Sequence, residues 1–370
     1  MQRRELLQLT TAASLGWTGV AVANPQLGLH TAAQRSGRDY GFAIATGYAD
    51  KEPVSSLLAK HAGVITAENA MKWRAIENIV GARDYSQADA VAALAARLNA
   101  KLRGHTLAWH QMVPARLNTA SADDFVKEQT LHLRALAQRY AGRVHTWDVL
   151  NEVVNPDDKR SDGMRDSALS RLWGVDRYPE LFQLARDADA KAKLAYNDYG
   201  LEQDEAWCER RRTATLHMLE QWVKRKTPID VLGMQAHLDL SRRFSDVKLL
   251  RFFDEVTALG LTIQITELDV RDSKTPGDFT KRDTAVAALY KEFVQTCAGH
   301  PAVEMIVMWN VTDADTWINR WLQGERRADG APMRPTLFDA QGQAKPALDA
   351  VVYSLVNATT KFDPKDKQRV

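Results

Sequence analysis

The chain has 370 residues, 45% of them apolar and 26% charged, with a net charge of +2 at pH 7. That balance excludes a strongly charged binder of nucleic acid or acidic membrane, and the 20 glycines and 12 prolines exclude a low-complexity chain. Two cysteines, Cys208 and Cys297, are too few for a disulfide scaffold and match no zinc spacing, so free thiols and a single bridge both stay open.

The first residues read as a targeting segment. Arg3-Arg4 precede a mostly apolar, uncharged run from Leu9 to Ala23, which closes on Ala21-Val22-Ala23, an A-x-A cleavage pattern. This resembles a twin-arginine bacterial export signal over residues 1–23 and predicts an exported, periplasmic or secreted protein. The alternative is a short amphipathic N-terminal helix. No later run reaches the roughly 18–20 apolar residues that span a bilayer.

Residues 24–35 read as a linker. A single catalytic domain is expected from 36 to 358, followed by a charged, frayed tail from 359 to 370. Within the domain two textures alternate. Strand-like runs occur at "GFAIATGYA", "GVITAENAM", "LRGHTLAWH", "RVHTWDVLNEV", "AKLAYNDYG", "DVLGMQAHL", "LTIQITELDV" and "VEMIVMWNV". Helix-period segments are expected at Ser86 to Ala100, Ser121 to Tyr140, Pro179 to Lys191, Asp204 to Lys226, Ser245 to Leu259 and Thr280 to Ala298. Strand starts advance by about 37 residues each, the length of a strand, a helix and two loops. Eight such units predict an α/β fold of the closed (β/α)8 TIM-barrel type. A doubly wound open sheet would want a Gly-rich turn after its first strand, and "ATGYADKEP" is not one.

In a barrel of this kind, chemistry gathers where strands finish. The ends supply Glu68, Asn69 and Lys72, then His105, Trp109 and His110, then Asn151 and Glu152, then Asn197, Asp198 and Tyr199. Gln235 and His237 follow, then Glu267 and Asp269, then Trp309, Asp313 and Trp317. A lone histidine or tryptophan is more often structural. Polar and aromatic endings on seven successive strands are hard to assign to packing alone. In "IQITELDV", Glu267 shares a period-2 face with Ile263 and Ile265, which predicts an inward-facing carboxylate. Glu152 closes "TWDVLNEV". Two carboxyls across a barrel mouth suit hydrolysis of a glycosidic bond, and indoles suit sugar faces.

"TAENAMKW", "RGHTLAWH", "WDVLNEV", "YNDYG", "GMQAHL", "ITELDV" and "MWNVTDADTW" occur in the order and spacing of family 10 glycoside hydrolases. The likeness runs from about Tyr40 through "PTLFDAQGQAKPAL" and points to the endo-1,4-β-xylanases. It implies endo-acting, retaining cleavage of xylan and xylo-oligosaccharides, with Glu152 as acid/base and Glu267 as nucleophile. Asn151, His237 and Asp269 are implied as catalytic support, Asn151 at the sugar 2-hydroxyl and Asp269 behind His237. Glu68, Asn69 and Lys72 are implied to clasp the sugar on the non-reducing side. His105, Trp109, His110, Gln235, Trp309 and Trp317 would wall the sugar beside the cleaved bond, and Tyr199 would meet the leaving group. No metal, cofactor, nucleic acid or membrane partner is implied, and a monomer is expected.

Three positions depart from the family pattern. Asn310 stands where Gly is usual, adding a side chain near the mouth. Arg116 replaces a common aromatic, which weakens a stacking contact or favours an acidic substituent. Gly200 stands where Asn is common. Rival readings are a β-1,4-glucanase of the same clan, a metal-dependent barrel hydrolase, which lacks the usual His-x-His after strand one, and a catalytically dead sugar-binding barrel, which would have lost an acid.

Overall fold

The computed structural model describes residues 27–77, 81–322 and 327–362. The export segment expected over residues 1–23 lies outside them. Nine parallel strands run in chain order: β1 Asp39–Ile44, β2 Val64–Ala67, β3 Lys101–Trp109, β4 Val144–Asn151, β5 Lys193–Asp198, β6 Val231–Met234, β7 His237–Asp239, β8 Thr262–Arg271 and β9 Val303–Trp309. The hydrogen-bonded order is β6-β5-β4-β3-β2-β1-β9-β8, and pairing of β6 with β8 closes the barrel. The eight expected strands are present, each within two residues of its expected start.

The sixth strand is broken. "GMQAHL" reads as one run, yet β6 stops at Met234 and Ala236 takes a left-handed φ of +63°. The chain then re-enters the sheet as β7, pairing His237 with Asp269. An alanine in that conformation costs about 1–2 kcal/mol, which the pairing on both sides has to offset.

Helices α1 Leu29–Gln34, α2 Val54–His61, α3 Trp73–Ile76, α4 Ser86–Arg97, α5 Ala122–Arg139, α6 Tyr178–Ala188, α7 Ala206–Lys224, α8 Asp246–Ala258, α9 Phe279–Ala298, α10 Trp317–Trp321 and α11 Pro346–Val356 accompany the strands. Six match the expected segments. On α8 the buried residues Leu249, Phe252, Phe253 and Val256 fall at spacings of 3, 4 and 7, one face of a helix. Ser121, Ser245 and Asp278 cap α5, α8 and α9 by accepting a backbone N–H.

Two expectations are corrected at the ends of the domain. The supposed linker contains α1, whose Leu29, Ala32 and Ala33 are fully buried; six residues are too few to display a helical period. The tail is docked at its start. Arg38 donates to Thr360 O, and Phe362 N donates to Ser36 O at 3.0 Å. The two cysteines, on α7 and α9, are both buried and free.

The barrel lumen is polar at its base. Gln264 reaches Arg103, Thr146 and Glu304, so on β8 the lumen-facing residue is Gln264 rather than Ile263 or Ile265. The alternation expected for "IQITELDV" therefore runs the other way. Irregular pairing with β9 between Ile265 and Leu268 resets it, and Glu267 emerges at the mouth. Similar irregularities sit between His105 and Ala108 on β3 and between Asp148 and Leu150 on β4.

Candidate active site

The strand ends open into a cleft of about 570 Å³. Of the expected residues, Glu68, Asn69, Lys72, His105, Trp109, Asn151, Glu152, Tyr199, Gln235, His237, Glu267, Trp309 and Trp317 line it. Asp269 is fully buried behind that wall. His110, which follows Trp109 on a single 3-10 turn, is not among the residues that line the cleft, and burial, helped by Arg165, pushes its pKa down to about 4.

Glu152 and Glu267 are connected through amides. Asn151 Nδ2 donates to Glu152 Oε1 at 3.3 Å, and Asn197 Nδ2 donates both to Asn151 Oδ1 at 3.0 Å and to Glu267 Oε1 at 2.9 Å. Gln235 Nε2 also donates to Glu152 Oε1 at 3.0 Å, while the backbone carbonyl of Gln235 accepts from the backbone N–H of Glu267. Each carboxyl thus accepts from at least one uncharged amide at the barrel mouth.

Their protonation is set differently. Burial raises Glu152 above the usual carboxylate range, Asp198 and Glu267 add to the rise, and the Gln235 bond opposes it. Burial pushes Glu267 the same way, but the His237 bond and the charges of His105, His237 and Lys72 outweigh it, and Glu267 ends lowered. His237 Nε2 lies 3.1 Å from Glu267 Oε2 and its Nδ1 lies 3.0 Å from Asp269 Oδ1. Burial disfavours its charge, yet Asp269 and Glu267 raise it well above 6.5, so the imidazolium donates to both. Asp269 accepts again from Trp317 Nε1 at 2.7 Å, tying the histidine to an indole of the wall.

The remaining wall is mixed aromatic and cationic. Lys72 Nζ stands 4.7 Å from the Trp109 ring centroid and 5.9 Å from that of Trp309, and donates to Asn69 Oδ1. His105 meets Trp309 edge-on at 5.4 Å and sits 2.8 Å from Asp148, which pairs in turn with Arg103 in the lumen. The Trp109 indole N–H is directed at the Glu152 carboxyl and favours its anion, but it closes no hydrogen bond of good geometry there.

Glu68 lines the cleft with both oxygens hydrogen-bonded inside the protein. Its oxygens accept from Arg320 twice at 2.7 Å, from Asn310 Nδ2 at 2.7 Å and from Asn69 Nδ2 at 3.1 Å. Four accepted bonds fill the four lone-pair sites of a carboxylate. Asn310 accordingly does not project into the mouth; it is fully buried at φ +80° and bonds Glu68 and the Trp317 N–H. Arg116 is paired with Glu77 and Glu128, away from the cleft. Gly200, at φ +71°, has no room for a side chain: a Cβ would stand 2.2 Å from the Trp207 ring, which lines the cleft. Glu202 and Arg242 line the cleft from loops and Trp207 from the start of α7, while Arg320 reaches Glu68 from the last turn of α10, where strand-end reading does not look; Arg271 closes β8 and was passed over, and Asn197 was visible as a strand end but its bridging of two acids was not.

The chain matches the model of Glycosyl hydrolase family 10 over residues 28–354. It is 30% identical over 321 residues to Endo-1,4-beta-xylanase 3 of Hypocrea jecorina, covering 86% of this chain and 83% of that one. It is 32% identical over 357 residues to Endo-1,4-beta-xylanase C of Paenibacillus barcinonensis, covering 86% of this chain but spanning only 31% of the relative's length. Xylanase 10B from Thermotoga petrophila RKU-1, solved in complex with xylobiose, superposes with a TM-score of 0.80 at 25% identity, over 89% of this chain and 97% of that one. A closed eight-stranded barrel, two strand-end carboxyls in an indole-walled cleft and a match across nearly all the described residues lead to one conclusion: the chain belongs to glycosyl hydrolase family 10.

Proposed function

We propose that the protein is an endo-1,4-β-xylanase that cleaves xylan and xylo-oligosaccharides by double displacement. The observation that carries the mechanism is the opposite tuning of two carboxyls joined through Asn151 and Asn197. Glu152 keeps its proton and delivers it to the leaving oxygen, while Glu267, ionised, attacks the anomeric carbon. Once Glu267 is an ester its charge is gone, and one of the influences that raised Glu152 goes with it. Glu152 then takes a proton from water as that water opens the ester. His237 and Asp269 hold the attacking carboxylate ionised and oriented. Asn151, pinned between Glu152 and Asn197, faces the sugar. Lys72, Asn69 and the Trp109, Trp309 and Trp317 indoles hold the ring on the non-reducing side, and Tyr199 meets the leaving group.

The family and the relatives named above support xylan over β-1,4-glucan. The test is a digestion of both polymers with the anomeric proton of fresh product followed by NMR. Rapid viscosity loss on xylan, with the β-anomer appearing first, is the expected result. A first-formed α-anomer, or faster cleavage of the glucan, overturns the reading. The paired arginines and apolar run before Asn24 support export of the enzyme, testable by sequencing the N-terminus of protein recovered from the periplasm.

A further inference from the structure

We propose that Arg165 is a positioning residue that couples the acid/base Glu152 to the leaving-group side of the cleft, so that its removal weakens protonation of the leaving oxygen more than attack by Glu267. The inference rests on the double-displacement reading above.

Glu152 holds φ +56°, a left-handed conformation that a residue with a side chain keeps only when its surroundings determine it. Both backbone polar groups of Glu152 are pinned. Its N–H donates to Asn197 O at 2.9 Å, and its carbonyl accepts from Arg165 Nε at 2.7 Å. The chain leaves Glu152, turns, and comes back to bring that guanidinium home. Val154 bridges Met164, Asn155 N donates to Gly163 O at 3.0 Å, and Arg165 N donates to Val153 O at 2.7 Å.

The far side of the same guanidinium donates to the Tyr199 hydroxyl at 2.9 Å. Tyr199 lines the cleft, and its ring lies under the Arg211 guanidinium, 4.1 Å from the ring centroid. Arg211 is itself paired with the buried Asp198. The phenol is therefore held from its face by one arginine and from its hydroxyl by another.

A half-buried arginine kept for stability alone is expected to sit against a carboxylate, because an unpaired cation is costly to bury. Among the described residues Arg165 has none within ion-pair distance; its hydrogen-bond acceptors are the backbone carbonyl of the acid/base and the phenol beside the leaving group. A planar fork with fixed donor directions can hold two acceptors at a set separation, which a lysine cannot. Arg165 is thus the side chain that ties the backbone of Glu152 directly to Tyr199, and with it the register of the acid/base relative to the leaving-group side.

The test compares two substrates of Arg165→Met and Arg165→Lys. Xylohexaose has a poor leaving group that needs a proton and fills the leaving-group side. A 2,4-dinitrophenyl β-xylobioside departs without a proton and places no sugar there. For Arg165→Met, kcat/KM is expected to fall about 100-fold on xylohexaose, a loss appropriate to misplacing a catalytic group by roughly 1 Å, and at least tenfold less on the aryl glycoside. Arg165→Lys, able to reach one acceptor, regains part of the difference. Tyr199→Phe, which leaves the Glu152 carbonyl bond intact, shows the same imbalance at about a tenth of its size. Equal losses on both substrates, or no loss on xylohexaose, overturn the proposal. Failure of the function reading is seen separately, as wild-type protein that does not cleave xylan with retention.

Discussion

On β8 at the barrel mouth, Glu267 sits among donors: an imidazolium on one oxygen, an amide on the other, and the positive charge of Lys72 across the cleft. Just past the end of β4, Glu152 is buried to a similar degree but is met by the Asn151 and Gln235 amides and the Trp109 indole rather than by an imidazolium, and the anions Asp198 and Glu267 act on it more strongly than the cations Lys72 and Arg165. The two carboxyls share strand-end geometry and nearly equal burial, so burial cannot be what separates them. The balance of charge around each one does: the His237 imidazolium dominates at Glu267, and Asp198 and Glu267 dominate at Glu152. One site favours the anion and the other the acid, which is the division of labour that a retaining glycosidase needs.

Removing each carboxyl in turn gives the largest test of that difference. Glu267→Ala is expected to lower kcat/KM on xylan by about 10⁵-fold or more. Added azide then attacks where the carboxylate stood, and the glycosyl azide formed has inverted configuration. Glu152→Ala is expected to lose roughly 10²–10⁴-fold on xylan, the usual worth of a general acid, and much less on a dinitrophenyl glycoside. With azide it yields a product of retained configuration. The same azide stereochemistry from both variants would falsify the assignment.

His237→Asn removes the strongest influence that favours the Glu267 anion. Loss of a nearby opposite charge shifts a carboxyl by about 1–3 units, so the acid limb of the kcat/KM profile moves to higher pH by that amount. The alkaline limb, set by Glu152, stays where it was. If both limbs move together, the two environments are not independent and the contrast between them fails.

Much of this was legible because barrels repeat. Strand spacing and the polar endings of "WDVLNEV" and "ITELDV" located the two acids and most of the wall before any coordinates. What stayed hidden depended on chain reversals and local backbone. Ala236 breaks the sixth strand through one left-handed residue, and nothing in an alanine announces that. Irregular pairing beyond Ile265 reverses the face on which Glu267 lies, and a strict period of two cannot show it. Asn310 and Arg320 converge on Glu68 from the loop and helix after β9, and Arg165 returns to Glu152 thirteen residues later in the chain. These are contacts between separate segments, and their residue types carry no sign of their partners.

The smallest expected effect is on stability, and it has opposite signs at the two acids. Glu267 has a folded-state pKa below its unfolded value of 4.5, so its ionised form stabilises the fold above that value, and the contribution disappears as pH falls through the lowered one. Glu152 has a folded-state pKa above 4.5, so the fold binds its proton more tightly than the unfolded chain does. Stability is lost as pH rises from 4.5 through the raised value. A glutamine keeps the shape and the hydrogen-bonding carbonyl but cannot ionise. Glu152→Gln should therefore raise the melting temperature by about 2 °C at pH 8 and leave it unchanged at pH 4. Glu267→Gln should lower it by a similar or larger amount at pH 8, because His237 and Lys72 keep their charges and lose the anion between them. Thermal melts of the two variants at both pH values decide the matter. If the substitutions move the melting temperature in the same direction at pH 8, the surroundings of the two acids do not differ in sign, and their opposite protonation would need another cause.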